Sequence, residues 1–290
     1  MQVTIQTFIG GLSLGAIYAL VALGFSLVYR TMGLVNFSHG NVVMIGAYLA
    51  STFYISSKLP FAVSIVVSMA VTAAIGIIIE RVLRPLENKD FDLMLIGTIG
   101  FGIVLEALAI MIWGATGQAV PSPVPAAPII LAGIRIRTYD LLVLAVAAAA
   151  TLLLIFFLQR SKRGTAMQAV AMDHEAATAV GINVGRSNAI AFMLGASLAA
   201  LAGGLVGPLL YVSPAMGGSL GIKGFAAAIL GGFGNIPGAI LGGLAFGLIQ
   251  SFAQGSDYGA YTDVITFIVF TALIMIRPTG LLGEQTVSRP

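Results

Sequence analysis

The sequence predicts an all-α integral membrane protein, a polytopic bundle of about eight to nine transmembrane segments, some of them short or broken. Of its 290 residues, 58% are hydrophobic and 9% are charged, and the mean hydropathy is +1.02. A soluble domain is about a quarter charged. The apolar residues form runs near the length of roughly 20 that crosses a bilayer as a helix. The 36 glycines suit close helix packing in lipid.

Seven apolar runs predict membrane spans along the chain. They cover residues 6–29, 41–55, 61–79, 93–113, 139–158, 189–210 and 263–276. The second run is short for a crossing. We therefore expect either a helix that begins earlier, near Gly33, or a broken, re-entrant element, which is tolerated only where it is buried in protein or lines water.

Three further stretches depart from simple spans. Residues 114–138 hold four prolines, which break helices and predict an external loop. Residues 211–223 predict a second, shorter external loop. The apolar stretch 224–251 is interrupted by GGFGNIPG at 231–238, which predicts two short helices, 224–230 and 237–251, that meet at a turn. The sequence leaves open whether this segment crosses fully or turns back within the membrane.

Two polar side chains inside apolar runs are candidates for a translocation pathway. Glu106 is a carboxylate well inside the fourth run, and ionisable residues within membrane spans mark functional sites. The alternative for Glu106 is a structural hydrogen bond or ion pair with another helix. Tyr18 lies on a seam of small residues in the first run. That seam predicts either close helix packing or a pathway lining that includes Tyr18.

A polar stretch follows the first run and carries Asn36, Ser38 and His39. Non-helical backbone at membrane depth is tolerated only where it is buried in protein or borders water, so these three residues are also pathway candidates. The alternative is a cytoplasmic turn in which Ser38 or Asn41 caps the start of the next helix.

Residues 160–188 form the longest polar interruption of the chain. Residues 165–180 predict one helix, which Thr165 caps at its start and Gly181 closes at its end. At about 1.5 Å per residue this helix would be roughly 22 Å long. It is too polar to span a bilayer. We therefore expect it to lie against something on one side of the membrane.

The distribution of basic residues predicts the orientation. With the N-terminus outside and nine membrane segments, ten of the 14 basic residues lie in the cytoplasm and four lie outside, as the positive-inside rule favours. The ten are Arg30, Arg81, Arg84, Lys89, Arg160, Lys162, Arg163, Arg186, Arg277 and Arg289, and the four are Lys58, Arg135, Arg137 and Lys223. The C-terminus and residues 160–188 are then cytoplasmic, and the proline-rich loop is outside.

Four stretches of the sequence resemble a known family. Glu175-Ala176-Ala177, followed after three residues by Gly181, resembles the EAA loop of ABC importer permeases. The stretches NFSHG at 36–40, GGFGNIPG at 231–238 and RPTGLLG at 277–283 resemble the branched-chain amino acid type, the LivH-like permeases. The four occur in the same order as in that family, and the resemblance covers essentially the whole chain.

The resemblance implies a single transmembrane permease domain, 1–290, with a cytoplasmic coupling loop, 160–188. Such a subunit translocates a branched-chain or other small amino acid across the bacterial inner membrane, driven by ATP hydrolysis in partner subunits. The residues implied to couple to the ATPase subunit are Asp173, Glu175, Ala176, Ala177 and Gly181. The implied partners are two ATP-binding subunits, a second related or identical permease, an extracytoplasmic substrate-binding protein and membrane lipid, without nucleic acid. ATP and Mg²⁺ would bind to those partners, and no cofactor to this chain.

Motifs for chemistry are missing from the sequence. There is no phosphate-binding G-x-x-x-x-G-K-[S/T], no cysteine, and the two histidines do not have metal-ligand spacing. We therefore expect a transport subunit without its own ATPase site rather than an enzyme. One alternative is a permease of the same type for urea or short amides. Another is an ion-coupled secondary carrier, in which Glu106 and the broken 224–251 segment form the coupling site.

Overall fold

The computed structural model describes residues 2–86, 91–125, 127–131 and 134–283. Within these ranges the chain forms a bundle of α-helices with one small hairpin. The helices are α1 (Gln2–Met32), α2 (His39–Ser51), α3 (Phe61–Leu83), α4 (Phe91–Trp113), α5 (Thr138–Arg160), α6 (Lys162–Met172), α7 (His174–Ala179), α8 (Val184–Val206), α9 (Met216–Gly231), α10 (Ile236–Gln254) and α11 (Thr262–Ile276).

Seven of these helices are long and apolar enough to cross a membrane: α1, α3, α4, α5, α8, α10 and α11. Two shorter apolar helices, α2 and α9, complete the bundle in the described part of the chain. The expected polytopic helical membrane protein with some short or broken segments is therefore confirmed.

The centre of the bundle is α1, whose most apolar window is 89% buried. It packs against α8, α9 and α10 through positions that have room only for glycine. A β-carbon on Gly15 would lie 2.8 Å from the Cα of Leu244 in α10. The outermost helix is α11, only 6% buried. Most of its surface is therefore left for lipid or another subunit.

The second membrane segment is a broken element. Gly33, with φ of +65°, follows α1, and α2 begins only at His39. The His39 imidazole lies against Gly24, eight residues before the end of α1, or about 12 Å inside that end at roughly 1.5 Å per residue. Residues 33–38 therefore fold back beside α1. The helix does not begin near Gly33, and α2 continues as a π-helix, Thr52–Ser56.

Two helices meet at a glycine-rich turn, as the GGFGNIPG run predicts, but α9 starts earlier than expected. It begins at Met216, so the predicted loop 211–223 is wrong after residue 215. Gly217 and Gly221 pack on Gly40 at the start of α2, where a β-carbon on Gly40 would lie 2.6 Å from the Cα of Gly221. These glycines serve helix packing rather than a loop, and Lys223 therefore lies within α9.

The described residues of the proline-rich stretch 114–138 form no α-helix before Thr138, as expected, but they form a hairpin. Strands β1 (Ile129–Leu131) and β2 (Ile134–Ile136) pair antiparallel, with Ile130 opposite Arg135. Two residues of the charge count, Lys89 and Arg289, lie outside the described residues.

Candidate functional site

The polar stretch 160–188 folds as two short helices, α6 and α7, so the prediction of one helix from 165 to 180 is wrong. Asp173 lies between them in an extended conformation, with φ of −157° and ψ of 111°. Its Oδ1 accepts a hydrogen bond from the Ala176 amide at 2.9 Å. Ser161, rather than Thr165, caps α6, because its Oγ accepts from the Gly164 amide at 2.9 Å. Asp and Ser favour such caps over helix interiors.

The end of α7 is a Schellman motif centred on Gly181. The Gly181 amide donates to the Thr178 carbonyl at 2.9 Å, and the Ile182 amide donates to the Ala177 carbonyl at 3.0 Å. Gly181 has φ of +85°, a conformation that residues with a side chain rarely adopt. The prediction that Gly181 closes the helix is confirmed.

The first of the two helices is fixed to the membrane bundle. A β-carbon on Gly164 would lie 2.5 Å from the Cα of Leu158 in α5. The Gln168 side chain donates to the Leu158 carbonyl at 3.0 Å. Met167 and Val170 are buried, and Met167 lies near Leu27 of α1. The helix α6 is therefore packed against the C-terminal parts of α1 and α5.

The outer surface of the two helices combines charge with exposed apolar side chains. Asp173, Glu175, Ala176 and Gly181 are exposed. Met172 and Val180 are 86% and 77% exposed, although both are apolar and lie in a polar stretch. We call Met172, Glu175, Ala176 and Val180 the α6–α7 face. The sequence analysis did not select Met172 or Val180. The feature that could have identified them is the presence of one apolar residue on each side of the Glu175-Ala176-Ala177 motif within a polar stretch.

Ala177 differs from the other predicted coupling residues because it is buried. Ala177 therefore packs α7 against the rest of the protein and is not exposed for contact with a partner subunit. The start of α8 is tied to α3 through Arg84, whose Nη2 donates to the Gly185 carbonyl at 3.3 Å. The same guanidinium makes two hydrogen bonds of 2.9 Å to the carboxylate of Glu80, which is fully buried. The loop is therefore linked to four membrane helices.

Three of the predicted pathway residues lie together where the chain folds back beside α1. Asn36 Oδ1 accepts hydrogen bonds from the Ser38 hydroxyl at 2.6 Å and from the Ser38 amide at 3.1 Å. Ser38 precedes α2, but its side chain makes no cap hydrogen bond. The His39 imidazole packs on Phe25, with ring centroids 4.6 Å apart. All three side chains are buried, and His39 joins the start of α2 to α1.

The other two pathway candidates are separated from this group and from each other. The Tyr18 hydroxyl donates to Gln250 Oε1 at 2.6 Å and lines a cavity between α1, α9, α10 and α11. Glu106 is half-buried on α4 and has no hydrogen bond or ion pair within the described ranges. Its helix contacts α2 and α3 instead.

The decisive observation is a match over most of the chain. Residues 7–274 match the family model described as "Branched-chain amino acid transport system / permease component". The chain belongs to this permease family. The resemblance stated from the four sequence stretches is therefore confirmed.

Curated members of the permease family are similar over nearly the whole chain. The branched-chain amino acid transport system permease protein BraD of Pseudomonas aeruginosa is 35% identical, covering 98% of this chain and 97% of the relative. LivH of Escherichia coli K12 is 34% identical with the same coverage. The probable branched-chain amino acid permease LivH of Methanocaldococcus jannaschii is 28% identical and covers 94% and 91%.

Membership of the permease family indicates which parts of the molecule lie in the membrane and which lie outside it. A permease component of a transport system is a multi-pass membrane subunit, and this chain has the seven apolar spans and two shorter apolar helices of such a subunit among its described residues. The α6–α7 face is then a permease surface at the end of the bundle where α1 finishes. The cavity beside Tyr18 opens toward the other end of the bundle. Its lining includes Gln254, the last residue of α10, and Ser251 in the last turn of α10 donates a hydrogen bond to the Thr7 carbonyl near the start of α1.

Proposed function

We propose that this chain is the permease subunit of an ABC importer that moves a branched-chain or similarly small amino acid across the bacterial inner membrane. ATP hydrolysis in partner subunits supplies the energy, and this chain has no ATPase site of its own. The observation that carries the proposal is the α6–α7 face, a rigid and partly apolar surface outside the membrane spans. The names of the relatives support the choice of substrate.

The α6–α7 face suits docking into a groove on an ATP-binding subunit. Burial of an apolar side chain contributes about 1.5–3 kcal/mol, so Met172 and Val180 supply the apolar part of the contact. Glu175 is exposed, and its carboxylate makes no ion pair or hydrogen bond with the other described residues, so it is available to a partner subunit. Asp173 and Gly181 fix the two ends of α7, and Ala177 holds it against the bundle. ATP and Mg²⁺ bind to the partner subunits in this proposal.

Closure of two ATP-binding subunits would move α6 and α7 as a rigid unit. The contacts of Gly164 and Gln168 pass that motion to α5, and the Arg84–Gly185 bond passes it to α3. Helices that move as packed units can open a pathway to alternate sides of the membrane. Tyr18, Asn36, Ser38, His39 and Glu106 stay the proposed lining of that pathway.

The remaining partners follow from the two ends of the bundle. The N-terminus lies outside and the C-terminus lies in the cytoplasm, so the hairpin β1–β2 faces an extracytoplasmic substrate-binding protein. The exposed outer helices leave room for a second related permease and for lipid. Residues 1–290 form one permease domain, and residues 160–188 form its coupling loop.

A pair of matched glycine variants tests the docking role. Gly181 and Gly114 both have φ of +85° and no neighbouring atom within 4 Å of an added β-carbon, and they lie at opposite ends of the bundle. Gly181→Trp should abolish ATP-driven uptake in a complex with the ATPase subunits, whereas Gly114→Trp should retain it. Wild-type uptake by a folded Gly181→Trp complex would show that the α6–α7 face does not dock.

A further inference from the structure

A cavity of about 340 Å³ lies between α1, α9, α10 and α11. It extends from Gly259 and Ala260, in the short 3₁₀ helix Gly259–Tyr261 before α11, to Tyr18, near the middle of the 31-residue α1. Its volume lies within the range of roughly 300–1,000 Å³ that is typical of small-molecule sites. The cavity therefore reaches from one end of the bundle to the depth at which a translocated molecule must pass.

An ion pair borders this cavity. Lys223 Nζ of α9 lies 2.8 Å from Asp263 Oδ1 in the first turn of α11. The Lys223 side chain is only 11% exposed, whereas that of Asp263 is 63% exposed. Lysine within an apolar helix is costly, and such residues usually mark a substrate pathway. The pair presents one positive and one negative group side by side at the cavity.

The rest of the lining is divided between polar and apolar groups. The Tyr18 hydroxyl and the Gln250 side chain share a hydrogen bond at its inner end. The first turn of α9 borders the cavity through Ser219, where the helix dipole favours negative charge. Apolar side chains supply another part of the lining: Leu14, Leu210, Met216 and Leu220. Paired opposite charges beside an apolar wall match the chemistry of an amino acid with an aliphatic side chain.

We propose that this cavity binds the zwitterionic backbone of the transported amino acid, an inference that rests on the proposed function. The substrate carboxylate binds the Lys223 ammonium group, and the substrate ammonium group binds the Asp263 carboxylate. The aliphatic side chain packs on the apolar wall. The zwitterion inserts into the existing ion pair, so neither protein charge is left unpaired in the membrane. Urea and short amides have no charges to satisfy this pair.

The competing explanation is an ion pair that only holds α11 against α9. Single neutralising variants do not separate the two, because each leaves the other charge unpaired. The double variant Lys223→Met/Asp263→Asn removes both charges together. Lys58→Met/Asp257→Asn is the matched control, because both residues are exposed and do not line the cavity.

The test uses the full complex with its ATPase subunits, reconstituted in proteoliposomes with its substrate-binding protein and radiolabelled leucine. The cavity site predicts that Lys223→Met/Asp263→Asn assembles and hydrolyses ATP like the wild type, while uptake falls at least about tenfold. The control variant should keep wild-type uptake. Unchanged uptake by the cavity variant, or its failure to assemble, would overturn the site in favour of a structural ion pair.

A second variant keeps the test independent of the ion pair. Tyr18→Phe retains the edge-on ring contact with Phe246, at 5.7 Å between centroids, and removes only the hydroxyl. Uptake should fall about threefold with assembly unchanged, the effect of losing one hydrogen bond. Equal uptake would count against the site. If the wild-type chain binds no ATPase subunit, the proposed function fails instead, so the two failures are distinguishable.

Discussion

The side chain of Asn235 donates a hydrogen bond to the carbonyl of Leu282 at 3.0 Å, across 47 residues of sequence. Its Oδ1 also accepts from the Gly238 amide at 2.9 Å and so caps α10. The amides of Leu281 and Leu282 donate to the last carbonyls of α9, at Leu230 and Gly231. The runs GGFGNIPG and RPTGLLG therefore form one structure, which closes the α9–α10 turn.

Asn235→Ala should lower the free energy of unfolding by about 2 kcal/mol, because it removes both a helix cap and a hydrogen bond. Asn235→Asp keeps the cap acceptor and loses only the donor, so it should cost about half as much. Thermal unfolding of the purified protein in detergent measures the difference. Equal losses for the two variants would show that Asn235 does not perform two separate roles.

The pair between Glu80 and Arg84 should respond asymmetrically to mutation. Arg84→Ala leaves the fully buried Glu80 carboxylate unpaired, which should cost about 3–5 kcal/mol of stability. Glu80→Ala leaves a guanidinium that is 48% exposed and can reach water, so its cost should be smaller. The midpoint of thermal unfolding for each variant reports the order. A larger loss for Glu80→Ala would contradict the burial argument.

The contact between Gly24 and His39 should tolerate no added side chain. Gly24→Val places methyl groups in the volume of the imidazole and should cost about 1–3 kcal/mol through overpacking. Gly100→Val is the control, because a β-carbon there meets no atom within 4 Å. Both variants add the same residue to a helix, so any excess loss of thermal stability for Gly24→Val measures the α1–α2 contact. Identical unfolding curves would refute this packing.

The exposed apolar residues of the α6–α7 face should matter for assembly rather than folding. Met172→Asp should weaken binding of the ATPase subunit about tenfold or more, the equivalent of one buried apolar side chain. Met172→Leu keeps the apolar surface and should bind normally. The amount of ATPase subunit retained on a tagged permease measures the effect. Full retention by Met172→Asp would place the docking contact elsewhere.

The apolar runs predicted the membrane helices well, because the length and composition of a span follow directly from the bilayer. Gly181 was also predictable, since a helix end that needs positive φ selects glycine. The break at Asp173 was not, because the alanines around it favour one continuous helix. The start of α9 was missed for a different reason. Its glycines indicate a loop in sequence, but they contact another helix in the bundle.

Pairings between distant residues lay beyond the reach of the sequence. Lys223 and Asp263 are 40 residues apart, and their contact depends on how α9 and α11 pack. The same holds for Arg84, whose bond to Gly185 crosses 101 residues. Asn36, Ser38 and His39 were selected as pathway candidates because polar residues beside a span indicate a broken segment, and their pathway role stays a prediction. The hydrogen bonds between Asn36 and Ser38, and the packing of His39 on α1, depend on the fold.

The most direct test of the importer account is whether uptake depends on ATP. The tagged chain is expressed with the neighbouring genes of its operon, purified, and reconstituted in liposomes with radiolabelled leucine. We expect that ATPase subunits co-purify, that uptake requires ATP, and that Glu175→Ala uncouples hydrolysis from uptake. Uptake by the chain alone, in liposomes without ATP, would contradict the account and establish a secondary carrier.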